Sequence, residues 1–231
     1  MSEQGVVAPP ENTPRRSPGE GSGRGDDLRR RLIEVLLGPI ERRKMTYEEF
    51  LSWADEDTLA EWVDGEVVMS SPASKQHQNI ADFLLKIMGI YAEAHNLGVV
   101  ISAPFQIKLE QGREPDLLFV ASKHMDRLKD TFLDGPADLV VEIVSPDSLD
   151  RDRGAKYYEY ERAGIPEYWL IDPLRQRVEF YQLDADGRYR LVEPDADGVY
   201  RSSSLSAFWL RARWLWQTPP VLQVLQELQV I

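Results

Sequence analysis

The sequence has no cysteine, and that absence removes disulfides, thiolate metal sites, iron–sulfur clusters and cysteine nucleophiles at once. Histidine is nearly absent too. His77, His95 and His124 are the only three, too few for a histidine-rich metal centre. Any metal would therefore be held by oxygen ligands, which favour a hard cation such as magnesium. No run approaches the ~20 apolar residues of a membrane span. The N-terminus lacks a basic-then-apolar signal peptide, so a soluble cytoplasmic protein with no membrane partner is expected. Positive charge is also in short supply: 27 basic residues face 39 acidic ones, a formal net charge of -12. A chain this acidic does not coat nucleic acid non-specifically, because that binding relies on Lys and Arg.

What remains is enough for a core: 42% of the 231 residues are apolar. Residues 1–27 are rich in Pro, Gly, Ser, Arg and Glu and read as a disordered tail. Residues 28–231 read as a single domain. Residues 28–44 carry Leu28, Leu32, Ile33, Leu36 and Leu37 at helical spacing, with basic residues at both ends. Thr46 followed by Glu49 is a capping box that opens a helix. The stretch 46–67 holds eight acidic residues and no basic one. Within 61–69, Asp64-Gly65 supplies the turn of a hairpin. Residues 75–95 are amphipathic, with Ile80, Phe83, Leu84, Ile87, Met88 and Tyr91 on one side. Strands follow at 98–109, 116–121 and 138–145, the last apolar enough to be buried on both faces and ended by Pro146. A helix over 150–163 closes at Gly164. Strands at 167–172 and 177–183 come next, then hairpin-like material, a Trp-rich segment (Phe208, Trp209, Trp214, Trp216) and a final helix after Pro220. The pattern is one α/β domain. The Trp-rich segment suggests apolar surface for a homodimer, with core packing as the simpler account of part of it.

Glu142 is the anomaly, because a lone carboxylate inside LVVEIVS is expensive to bury. It faces water or has a partner. Asp116 follows Pro115 at the start of another strand, and two such strands side by side would bring both carboxylates to one cation. Lys156 stands on the following helix, where Asp152, Lys156 and Tyr160 are spaced four apart and share a face. Two carboxylates and a lysine suit magnesium-assisted phosphodiester hydrolysis: the metal acidifies a water, and the lysine orients it or offsets developing charge.

The segments MTYEEFL (45–51), EWVDGEVVMSSPASKQHQNI (61–80), EPDLLFV (114–120), DLVVEIVSPDS (138–148) and RDRGAKYYEYERAGIPEYWLIDP (151–173) together resemble the Uma2 family. That family is placed in the PD-(D/E)xK restriction-endonuclease-like superfamily. The resemblance implies a central mixed β-sheet flanked by helices and a magnesium- or manganese-dependent endonuclease acting on nucleic acid, DNA before RNA. It implies Asp116 and Glu142 as metal ligands, the backbone carbonyl of Ile143 as a further ligand, and Lys156 as the catalytic lysine. The superfamily motif expects its lysine two positions after the glutamate, where this chain has Val144; Lys156 takes that role from the next helix. Glu61 reads either as an additional acid near the metal or as a surface acid before the hairpin. His77 is expected to contact phosphate or Glu61, and Tyr160 to pack or hydrogen-bond beside Lys156. Gln106 and Lys108 are placed near the scissile phosphate, and Glu167, Tyr168 and Trp169 read as structural. The alternative is a catalytically inactive nucleic-acid-binding or protein-interaction module on the same fold, a reading the acidic balance favours.

Overall fold

The computed structural model describes residues 44–54, 59–69, 73–145 and 152–231. The tail expected at 1–27, all but the last residue of the helix expected over 28–44, Pro146 and the first residues of the 150–163 helix lie outside the described residues.

In chain order the elements are α1 (Tyr47–Trp53), β1 (Ala60–Val63), β2 (Glu66–Met69), α2 (Lys75–Ala94), β3 (Gly98–Ser102), β4 (Gln106–Lys108), β5 (Gly112–Arg113) and β6 (Leu117–Ala121). A 3-10 turn (Ser122–Arg127), β7 (Phe132–Asp134), β8 (Leu139–Ile143), a π-helical turn (Asp152–Lys156) and α3 (Tyr157–Ala163) follow. The chain ends with β9 (Glu167–Asp172), β10 (Arg177–Leu183), β11 (Tyr189–Leu191), β12 (Val199–Arg201), β13 (Trp209–Arg211), a second 3-10 turn (Ala212–Leu215) and α4 (Val221–Glu227).

Local signals set most of these boundaries. Thr46 caps α1 in a reciprocal capping box with Glu49. Asp64 and Gly65 both take positive φ (51° and 85°), the geometry a two-residue hairpin turn requires. Ser74 caps α2 by accepting the N–H of His77, which sets His77 in the first turn. The continuous strand expected over 98–109 is broken at Ala103–Pro104, and its two halves join different sheets. The turn expected between them and β6 contains the short strand β5.

A six-stranded mixed sheet runs in the order β11-β10-β9-β8-β6-β3, and a five-stranded one in the order β2-β1-β5-β4-β7. β8 is central in the larger sheet, antiparallel to β6 and parallel to β9. Both its faces are covered, as its apolar run demands. Leu139, Val141 and Ile143 join the core beneath α2, while Val140 joins the cluster of Leu118, Tyr160, Tyr168 and Leu170 on the opposite face. By alternation Glu142 faces this second cluster.

The Trp-rich segment contributes to the core. Phe208 and Trp214 are buried, and Trp209 and Trp216 pack against the core beneath α2. This is the core packing expected for part of the segment; Trp209 and Trp216 remain half-buried.

Gly98 begins β3 at φ 148°, and a Cβ there would stand 2.0 Å from the Val120 carbonyl oxygen. Gly98→Ala is therefore expected to destabilise the protein by about 2–3 kcal/mol through backbone strain and clash, read as a lowered urea midpoint.

Candidate functional site

The carboxylate of Glu142 is buried (4% exposed), but it is not alone. Its Oε1 accepts from Lys156 Nζ at 2.9 Å and from the Tyr160 hydroxyl at 2.7 Å. Tyr160 lies one α-helical turn after Lys156, so both reach the same oxygen. The π turn that delivers Lys156 is of a kind common at functional sites.

Glu61, on β1, joins the same cluster. It is 4% exposed, so it is no surface acid, and its Oε1 stands 2.8 Å from Lys156 Nζ. The ammonium thus bridges Glu61 and Glu142. Burial alone would raise the Glu61 pKa. The charge and hydrogen bond of Lys156, with Arg113 behind, outweigh burial and hold it below the ordinary carboxylate range. By linkage, this pairing stabilises the fold above the unfolded pKa of about 4.5, and the contribution is lost as pH falls through the lower folded value.

Asp116 sits beside this cluster on different partners. Its Oδ2 accepts the Ile143 N–H at 2.6 Å, and its Oδ1 lies 3.1 Å from His77 Nε2. His77 therefore meets Asp116, not Glu61 as one reading had it. The pairing of Leu117 with Val141, continued by one residue, sets position 116 opposite position 142. The two carboxylates thus stand at one end of neighbouring strands.

Gln106 and Lys108 part company. Gln106 is buried, and its amide nitrogen donates to the Ala60 carbonyl and to Glu114 Oε2, both at 2.7 Å. Lys108 reaches Glu48 and stands over the rings of Tyr47 and Phe132. Three further charged residues in the cluster escaped the sequence reading: Arg113, Glu114 and Glu159. The Glu61 Oε1 accepts the Glu114 N–H, and Arg113 bridges Glu61 and Glu159. Only Glu159 had a local signal, three residues after Lys156 on the same helical stretch.

Burial pushes the Glu114 carboxyl up to about 7, with the nearby Glu61 charge adding and Gln106 and Lys156 opposing. Its neutral form favours the fold. That contribution is complete below the unfolded pKa of about 4.5 and is lost as pH rises through about 7. Glu114→Gln is expected to remove this pH dependence and to be more stable than the wild type at roughly pH 9 by about 2–3 kcal/mol. Urea denaturation at roughly pH 5 and pH 9 checks both statements.

The donor set suits a hard divalent cation. Asp116 and Glu142 offer carboxylate oxygens at one end of neighbouring strands, the ligand type that hard divalent cations take. Among the described residues no three His, Asp or Glu side chains form a metal cluster. The expected set does not need one, because its third protein ligand is the Ile143 carbonyl.

Comparison with known proteins agrees with this architecture. An uncharacterised protein of Synechocystis is 25% identical over 156 residues, covering 66% of this chain and 82% of that one. A crystal structure described as "a putative nuclease belonging to DUF820" from Anabaena variabilis superposes with a TM-score of 0.64 at 20% identity, covering 75% of this chain and 98% of that chain. That likeness shows the fold, a mixed α/β architecture. The Uma2 family model, described as "Putative restriction endonuclease", matches residues 47–213, a span that contains every side chain of the site, and the chain belongs to that family.

Proposed function

We propose that this protein is a magnesium-dependent nuclease that hydrolyses phosphodiester bonds of DNA, with Asp116, Glu142 and Lys156 at its active site. The observation that carries the reading is Lys156: a buried ammonium delivered from a π turn onto the one carboxylate inside the central strand. A lysine so placed costs desolvation, and structural packing alone does not call for it.

Asp116, Glu142 and the Ile143 carbonyl would hold the cation. When bound, magnesium supplies an acidified water and neutralises phosphate charge. Asp116 is oriented for this from two sides, by His77 and by the Ile143 N–H. Tyr160 fixes the Glu142 carboxylate, and its own pKa is raised well above the usual phenol value, first by burial and then by the Glu142 charge, so it stays a donor. The Lys156 ammonium orients the attacking water and faces the charge that grows on the phosphate. Manganese satisfies the same oxygen ligands.

Asp116→Asn removes a charge without changing shape. It is expected to lower cleavage by at least about a hundredfold and to weaken magnesium binding in calorimetry, with unchanged secondary structure. A folded Asp116→Asn that cleaves DNA as the wild type does would refute the assignment. Absence of magnesium or manganese binding by the folded wild type would favour the inactive-module reading.

A further inference from the structure

Behind Lys156 lies a second layer of charge, built around Arg113. We propose that Arg113 is a positioning residue for Lys156, acting through Glu61, and that Glu159 anchors Arg113; its catalytic meaning rests on the nuclease reading above. Arg113 is 3% exposed. Its Nε and Nη2 lie 2.8 and 2.7 Å from Glu159 Oε2, and its Nη1 lies 3.3 Å from Glu61 Oε2. The other Glu61 oxygen, Oε1, holds Lys156 Nζ at 2.8 Å. Glu159 in turn accepts the Gln111 N–H at 3.1 Å through its second oxygen.

The path is closed. It leaves the helical segment at Lys156, crosses β1 at Glu61 and β5 at Arg113, and returns to that segment at Glu159. A carboxylate turns easily about its last torsion when one oxygen is held. Here both oxygens of Glu61 and both of Glu159 are engaged, so neither can turn without breaking a bond. The ammonium is thereby fixed relative to β1 as well as to Glu142.

Charge explains why an arginine is needed. Glu61, Glu142 and Glu159 carry three negative charges against the two positive ones of Lys156 and Arg113. Without Arg113, Glu61 would turn both oxygens to Lys156 and draw it away from Glu142. With Arg113 in place, the pull of Glu61 is divided, and the ammonium rests between the two acids. Buried ion pairs are weak contributors to stability compared with apolar packing, so a cluster of four further ionised groups gathered about one ammonium is better explained by its placement than by stability.

The test is the double variant Arg113→Met/Glu159→Gln. It removes one charge of each sign, so the cluster keeps its net charge and no new buried ion is left unpaired. In protein labelled with 15N-lysine, the Lys156 ammonium signal is identified by its loss in Lys156→Met. The double variant is expected to keep wild-type circular dichroism and a cooperative melt. Its Lys156 signal is expected to shift and to exchange with solvent at least about tenfold faster, and kcat for magnesium-dependent DNA cleavage to fall at least about tenfold with KM nearly unchanged. A folded double variant with an unchanged Lys156 signal overturns the proposal, whether or not cleavage is detected. A changed signal supports the positioning role even if the wild type cleaves nothing, an outcome that would overturn the nuclease reading instead. If the double variant does not fold, Glu159→Gln alone is read by the same signal, with the same result overturning the proposal.

Discussion

Lys156→Met is expected to lower magnesium-dependent cleavage by at least about a hundredfold and to destabilise the fold by about 3–5 kcal/mol. Both effects follow from one ammonium. On the catalytic side, the site loses the positive group beside Glu142. On the stability side, Glu61 and Glu142 are left buried with their shared cation gone. Removing one partner of a buried pair is far costlier than never having built it. The pH dependence separates this loss from a packing defect. In the wild type, Glu61 has a lowered pKa, so its pairing stabilises the fold above about pH 4.5 and is lost as pH falls. In Lys156→Met, Glu61 keeps Arg113 but loses its nearer cation, so its carboxyl is held less far below the ordinary range and the loss of stability on the acid side should shrink. Adding Glu61→Gln removes one of the two carboxylate charges left without Lys156 and should return part of the stability without returning cleavage. Urea denaturation across pH, alongside a cleavage assay, reads all of this.

Glu167→Ala is the second large effect expected, about 3–4 kcal/mol of lost stability. Glu167 is fully buried on β9 and accepts six hydrogen bonds, from the Trp169 indole, the Tyr200 hydroxyl, the Ser202 and Ser203 hydroxyls, and the N–H groups of Ser203 and Ser204. All six donors are neutral, so this anion is stabilised by dipoles and not by a counter-ion. Ser204 passes the connection on, its hydroxyl donating to the Asp138 carbonyl just before β8. Deleting the carboxylate leaves several buried donors unpaired, and each carries its own desolvation cost. Glu167→Gln should cost less, about 1–2 kcal/mol, because one amide oxygen can still accept. A urea midpoint that falls with an unchanged slope would mark lost stability in an intact two-state fold.

These two residues show how differently the sequence exposes a site and its support. Glu142 stood out because a carboxylate interrupts an apolar strand. Lys156 and Tyr160 were readable together because four residues of helix bring them to one face, and Asp116 because its strand pairs with that of Glu142. Pairing of this kind is local or follows from register. Glu61 looked ambiguous because burial does not show in sequence: the same acid before a hairpin can face water or face Lys156. Arg113 was missed because both its partners lie far away in sequence, Glu61 on β1 and Glu159 on the helix after the π turn. The six donors of Glu167 come mostly from a serine run after β12 that reads as an ordinary loop. The Trp-rich segment is ambiguous in sequence, since aromatic density marks core and surface contact alike. The acidic net charge of -12 also weighed against a nucleic-acid partner. Several of those acids are consumed inside the molecule: Glu61, Glu142, Glu159 and Glu167 are all buried and partnered.

The central claim is that Asp116, Glu142 and Lys156 form a magnesium-dependent site for phosphodiester cleavage. Its most direct measurement is scission of end-labelled DNA by purified wild type and Lys156→Met, side by side, over a magnesium titration with a chelator control. The account predicts magnesium-dependent, chelator-sensitive cleavage by the wild type and none above background by the folded variant. Equal cleavage by both proteins, or cleavage that persists in the chelator, would contradict it.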